Sequence, residues 1–153
     1  MSTCVRSIVS STSSHGKNAE PVVRKGANHS HMKILKIDPG EKPEIMDIKN
    51  SLESMQSLVG GMIQAVYPFE EPVALICNEE GKLMGLEYNR ALRLSESSTI
   101  YDIVCGTMFL CGAPADSDQF TDLTEEQLSY YSDYYKEPEV FLKTNLGIVV
   151  LKV

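Results

Sequence analysis

After Met32 the chain has no histidine: His15, His29 and His31 are its three, and all lie within the first 31 residues. It also lacks any Cys-x-x-C spacing, and with Cys4 set aside the remainder carries Cys77, Cys105 and Cys111, an odd number. A structural zinc draws on closely spaced thiolates and imidazoles, so neither a zinc site nor a histidine-based catalyst has a ligand set here. No metal and no cofactor is expected. Each of the three cysteines sits in an apolar, strand-like run, where a free cysteine packs as a small hydrophobe. Unpaired cysteines suit a reducing compartment, and a cytoplasmic location is expected. Missing too is any stretch near the roughly 18 consecutive apolar residues of a membrane helix. The most apolar runs, residues 103–113 and 146–153, are strand-sized, so no membrane span is expected.

What is present fits one domain. The 153 residues are 42% hydrophobic and 23% charged, close to the composition of an ordinary globular protein. Residues 1–31 differ from the rest, being rich in Ser, Asn and Gly with no sustained apolar period. Arg6, Lys17, Arg24 and Lys25 stand there against Glu20, a net of +3, so a whole-chain charge of −7 leaves −10 on residues 32–153. The apolar pair Ile8-Val9 is too short for a secretory core, and the Arg and Ser content matches an organelle transit peptide only faintly. Ser30-His31-Met32 resembles the join left by a cloning vector, and Met32-Lys33-Ile34-Leu35 reads as a native start. The expectation is a vector-derived or disordered leader, 1–31, before a single domain, 32–153.

Alternation over residues 33–38, ended by Pro39-Gly40, predicts a first strand and turn. Residues 44–49 predict a second strand. Asn50-Ser51-Leu52-Glu53 has the form of a capping box, with Asn50 as the cap, opening a helix over about 51–59 that Gly60 ends. A rival single helix starting at Ile45 fits the apolar spacing but ignores that cap. Residues 62–67 predict a strand, and the unbroken apolar run 73–77 a central one. Asn78-Glu79-Glu80-Gly81 supplies turn chemistry, with Lys82-Leu83-Met84 as the returning arm of a hairpin. Residues 88–94 read as a helical turn with Arg90 and Arg93 outward. Residues 100–111 read as one long strand bent at Gly106. Thr124-Glu125-Glu126-Gln127 is a second capping box, opening a helix over about 125–136. Two strands around Asn145-Leu146-Gly147 complete the chain. About six strands and two principal helices that do not alternate as βαβ make an α+β fold on a mainly antiparallel sheet.

Three groups could carry function. Asn78, Glu79 and Glu80, with Asn89 and Arg90 nearby, form the densest polar cluster. Paired carboxylates could hold an ion or act as acid and base, and Arg90 could fork onto a phosphate of a nucleotide-like ligand. A solvated hairpin turn explains the same residue types more simply. Val59-Gly60-Gly61 lacks the Lys-Ser/Thr of a phosphate loop and follows a helix instead of preceding one, so it reads as a helix stop. Tyr130, Tyr131, Tyr134 and Tyr135 fall on the last helix, with Tyr131 and Tyr135 joining Leu128 on its buried side. Tyr130 and Tyr134 are left for a partner surface, since tyrosine brings contact area at little rotamer cost. Around them Asp116, Asp118, Asp122, Glu125, Glu126, Asp133, Glu137 and Glu139 face only Lys136. Phosphate backbones would be repelled, so direct nucleic-acid binding is not expected; a basic protein surface is the fitting partner.

From Met32 onward the chain resembles the family of domain of unknown function 3846. The resemblance rests on Leu52-Glu53-Ser54-Met55-Gln56-Ser57-Leu58-Val59-Gly60-Gly61, on Asn78-Glu79-Glu80-Gly81-Lys82-Leu83, and on Asn89-Arg90. It continues through Ile103-Val104-Cys105-Gly106-Thr107 and Leu123-Thr124-Glu125-Glu126-Gln127, spanning nearly all of residues 32–153. It implies a phage or mobile-element setting and transfers no catalytic role. The resulting expectation is a non-enzymatic accessory protein that binds a host target, countering host defence, through Asp122, Glu126, Tyr130, Asp133 and Tyr134. The alternative is a small-molecule binder or small hydrolase using Asn78, Glu79, Glu80, Asn89 and Arg90.

Overall fold

Strand β5 (Val73–Asn78) is buried at all six positions, which is why its sequence is a continuous apolar run and not an alternating one. A computed structural model describes residues 5–7, 31–94 and 96–152 of the chain. In it β5 runs antiparallel between β4 (Ile63–Val66) and β8 (Met108–Gly112). Beyond β8 lie β2 (His31–Ile37) and then β3 (Glu44–Lys49), while the Val5–Ser7 strand, β1, pairs with the outer edge of β4. The principal sheet thus has the order β1-β4-β5-β8-β2-β3, antiparallel at every junction, and the α+β class expected from sequence is the one observed. Leader residues 1–4 and 8–30, and with them the expectation of a vector-derived or disordered segment, lie outside the described residues.

The sheet has a core on each face. Because strand side chains alternate, Ala74 and Ile76 of β5 enter one core while Val73, Leu75 and Cys77 enter the other. The first core is closed by α1 (Leu52–Val59) through Met55 and Val59. The second is closed by α2 (Glu125–Tyr134) through Leu128 and Tyr131, and by a separate two-stranded sheet of β6 (Tyr88–Arg93) and β7 (Ile100–Cys105). A hairpin, β9 (Glu139–Thr144) and β10 (Gly147–Lys152), follows α2 around the turn expected there. Its Phe141 ring meets Tyr88 of β6 at 5.3 Å.

Four local expectations need correction. The cap of α1 is Ser51, not Asn50: Ser51 has the extended backbone a cap requires, and its hydroxyl accepts the Ser54 N–H at 3.2 Å. Asn50 instead donates its side-chain amide to the Phe120 carbonyl at 3.0 Å, tying β3 to a distant loop. Residues 79–85 form no returning hairpin arm; they are turns, held by Gly81 N–H to the Asn78 carbonyl and Leu86 N–H to the Gly81 carbonyl. Residues 88–93 are a strand and not a helical turn, and Arg90 points inward with no solvent exposure. Residues 100–112 are two strands in two different sheets. Gly106, at φ +89°, is the pivot that sends the chain from one layer to the next, a backbone angle that glycine adopts without penalty.

Candidate functional site

Helix α2 starts where its sequence says it should. Thr124 accepts the Gln127 N–H at 3.1 Å and Gln127 returns a bond to the Thr124 N–H at 3.0 Å, a closed capping box. Glu125 and Glu126 in the first turn complement the positive end of the helix dipole. Leu128, Tyr131 and Tyr135 are buried, as their spacing required, which rotates Tyr130 and Tyr134 outward to 60% and 45% exposure. Those two rings lie nearly parallel, 15° apart with centroids at 6.2 Å, so they present one aromatic platform. Each is buttressed edge-on by its buried neighbour, Tyr130 by Tyr131 at 4.8 Å and Tyr134 by Tyr135 at 4.7 Å.

Beside the platform is a cavity of about 440 Å³ whose lining includes Phe69, Tyr130, Tyr131 and Tyr134 and also Glu70, Glu71 and Arg93. Phe69 packs its ring on Tyr131 at 4.7 Å, and the Tyr131 hydroxyl donates to Glu71 Oε1 at 2.9 Å. Burial, then the Glu71 carboxylate, raises the Tyr131 phenol above its ordinary range; burial does the same for Tyr135. Both rings therefore stay neutral walls. Phe69, Glu70, Glu71 and Arg93 were not among the residues expected here. The Glu71–Tyr131 bond spans 60 residues of sequence, and no periodic pattern marks its near end.

The acidic residues around α2 are not equivalent. Glu126 and Asp133 are exposed, with Asp133 Oδ1 at 3.2 Å from Lys136 Nζ across one turn. Asp122 is committed to the fold, since its Oδ1 accepts the Lys33 N–H of β2 at 2.6 Å. Glu139 is almost wholly buried and pairs with Arg93 at 2.9 Å, so it does not belong to the acidic surface.

The other polar cluster is divided by the structure. Glu79 and Glu80 are exposed on their turn. Asn78 is buried, donating to the Val59 carbonyl at 3.1 Å and accepting the Glu80 N–H at 2.8 Å. Asn89 and Arg90 come together, Arg90 Nη1 donating to Asn89 Oδ1 at 3.0 Å, and both are fully buried. Asn89 spends its amide on the Ile37 and Gly106 carbonyls at 2.9 and 2.8 Å, stapling the two sheets. Arg90 Nη2 donates to the Glu41 and Tyr135 carbonyls at 2.7 and 2.8 Å, while its buried Nε–H has no partner among the described residues. Burial pulls this guanidinium below its ordinary value, and Glu139 and Tyr135 oppose that pull.

Among the described residues no helix is long and apolar enough to cross a membrane, and no three Asp, Glu, His or Cys side chains are grouped to hold a metal ion. Cys77, Cys105 and Cys111 are free and buried, packed as small hydrophobes. Burial pushes the Cys77 thiol up to about 12 and raises those of Cys105 and Cys111.

Fold and surface together define a small layered α+β domain that displays an aromatic platform on one helix and, beside it, a cavity lined by aromatic and carboxylate side chains. The chain belongs to the family described as Domain of unknown function (DUF3846), whose family model matches residues 32–136. The match runs from β2 through the end of α2 and so includes the whole cavity wall; the β9–β10 hairpin lies beyond it. Searches of curated proteins and of solved structures found no match.

Proposed function

We propose that this protein is a non-enzymatic binding module that takes a basic protein surface onto the exposed side of α2, with Glu126, Tyr130, Asp133 and Tyr134 in contact and Asp122 holding the adjoining loop. The observation that carries the reading is the stacked, outward pair Tyr130 and Tyr134 on a helix that also exposes Glu126 and Asp133. Large aromatic area left in water is unusual away from interfaces, and tyrosine is the residue interfaces favour. The net charge of −10 on residues 32–153 selects a cationic partner and repels nucleic acid. The resemblance implies a phage or mobile-element setting, and within it our reading is an accessory protein that acts on a host protein and counters host defence. The alternative, a nucleotide-like ligand at Arg90, is supported less well, since both terminal nitrogens of Arg90 already donate inside the protein.

Affinity capture from a host lysate tests this with two baits, the natural chain and Tyr130→Ser/Tyr134→Ser. A basic host protein held by the first and lost by the second is the expected result. Equal retention on both baits would refute the reading.

A further inference from the structure

The cavity beside the tyrosine platform has a chemistry of its own. Its lining brings the rings of Phe69, Tyr130, Tyr131 and Tyr134 together with Glu70 and Glu71. Aromatic faces hold a cation through the ring quadrupole, most strongly where water is partly excluded. Glu71 uses Oε1 to accept from Tyr131, so Oε2 remains available for a second donor. Arg93, the cation that also lines the cavity, is already neutralised by buried Glu139 at 2.9 Å, which leaves the lining net negative. At about 440 Å³ the space exceeds what one side chain fills, so an inserted chain keeps some water with it.

We infer that this cavity receives a single arginine side chain projecting from the basic partner, its guanidinium stacked against the tyrosine rings and bonded to Glu70 and Glu71. Arginine fits better than lysine because its planar, weakly hydrated head stacks on rings and forks onto carboxylates, whereas an ammonium stays strongly hydrated. It is also the cation most often found as an interface anchor. The inference rests on the binding-module reading, because it names the anchor within that surface.

The test uses the full chain with 13C-labelled aromatic rings and three capped pentapeptides, Gly-Gly-X-Gly-Gly, in which X is arginine, lysine or citrulline. Citrulline keeps the shape of arginine and removes its charge. The arginine peptide should shift the Phe69, Tyr130 and Tyr134 ring signals saturably, and the citrulline peptide should bind about fivefold more weakly or worse. Glu71→Gln and Tyr134→Ala, both on exposed side chains, should each weaken the arginine peptide several-fold while the remaining spectrum is kept. Equal binding of the arginine and citrulline peptides would overturn the inference. A twelve-residue Lys/Arg peptide separates the two readings. If it shifts the Glu126 and Asp133 amides but not the Phe69 ring, the anchor fails and the surface reading stands. If it shifts neither, both fail.

Discussion

Glu139 reaches across from β9 to grip β6: its Oε2 lies 2.9 Å from Arg93 Nη1 while its Oε1 accepts the Ala91 N–H at 2.9 Å. Its side chain is only 3% exposed and that of Arg93 19%, so the pair is largely removed from solvent. Taking away one partner of a buried pair strands the other charge, at about 3–5 kcal/mol. Glu139→Ala should fall at the low end of that range, because Arg93 retains some water. Urea unfolding checks it; a loss under about 1 kcal/mol would mean the pair is only a surface contact.

The two residues at the start of α1 should separate in experiment. Ser51→Ala removes the hydroxyl that accepts the Ser54 N–H and should cost about 0.5–2 kcal/mol, with faster amide exchange at Ser54. Asn50→Ala instead leaves the Phe120 carbonyl unpaired, costing about 1 kcal/mol without touching Ser54 exchange. Faster exchange at Ser54 in Asn50→Ala alone would restore Asn50 as the cap.

High pH should loosen the fold through its buried thiols. Burial holds the Cys77 thiol at about 12 in the folded chain, whereas in the unfolded chain a thiol titrates near 8.5. Below about pH 8.5 both states keep the proton and the contribution is complete. Above it the unfolded chain releases protons that the folded chain retains, so stability falls as pH rises toward about 12. Cys105, Cys111 and Tyr131, all shifted the same way, add to the slope. Urea midpoints should drop between pH 8 and pH 10, and less so in Cys77→Ala. A midpoint constant over that range contradicts the burial of these groups.

Much of this architecture could be read in the sequence because it depends on neighbours. The run at residues 73–77 announced a strand covered on both faces, Thr124 and Gln127 announced the start of α2, and the spacing of Leu128, Tyr131 and Tyr135 announced its buried side. Gly106 was legible as a bend, but not as the passage between two sheets, since that depends on which strand each half finds. Arg90 misled because a charged residue beside turn signals usually faces water. Its burial is compensated by carbonyls of Glu41 and Tyr135, 49 and 45 residues away, which no local pattern reveals. The cavity was hidden for the same reason: the segment carrying Phe69 and Glu71 meets α2 only through tertiary contacts.

The charge of the α2 surface can be reversed without unmaking the helix, provided the right residues are chosen. Asp122→Lys is a poor probe, because it removes the acceptor of the Lys33 N–H and should lower stability by about 1–3 kcal/mol. Glu126→Lys and Asp133→Lys together are a better one. The first loses a favourable contact with the positive end of the helix dipole, while the second gains one at the negative end. Each is worth about 0.3–1 kcal/mol, so the two nearly cancel. The exposed Asp133–Lys136 contact that is lost adds little. The double reversal should therefore melt within a few degrees of the natural chain. Its association with a basic twelve-residue peptide should nevertheless be markedly slower at low salt, because the attracting field has changed sign locally. Raising the salt to physiological strength shortens the screening length to about 8 Å and should bring the two association rates together. If the rates already agree at low salt, the carboxylates around α2 serve solubility alone and the basic-partner reading fails.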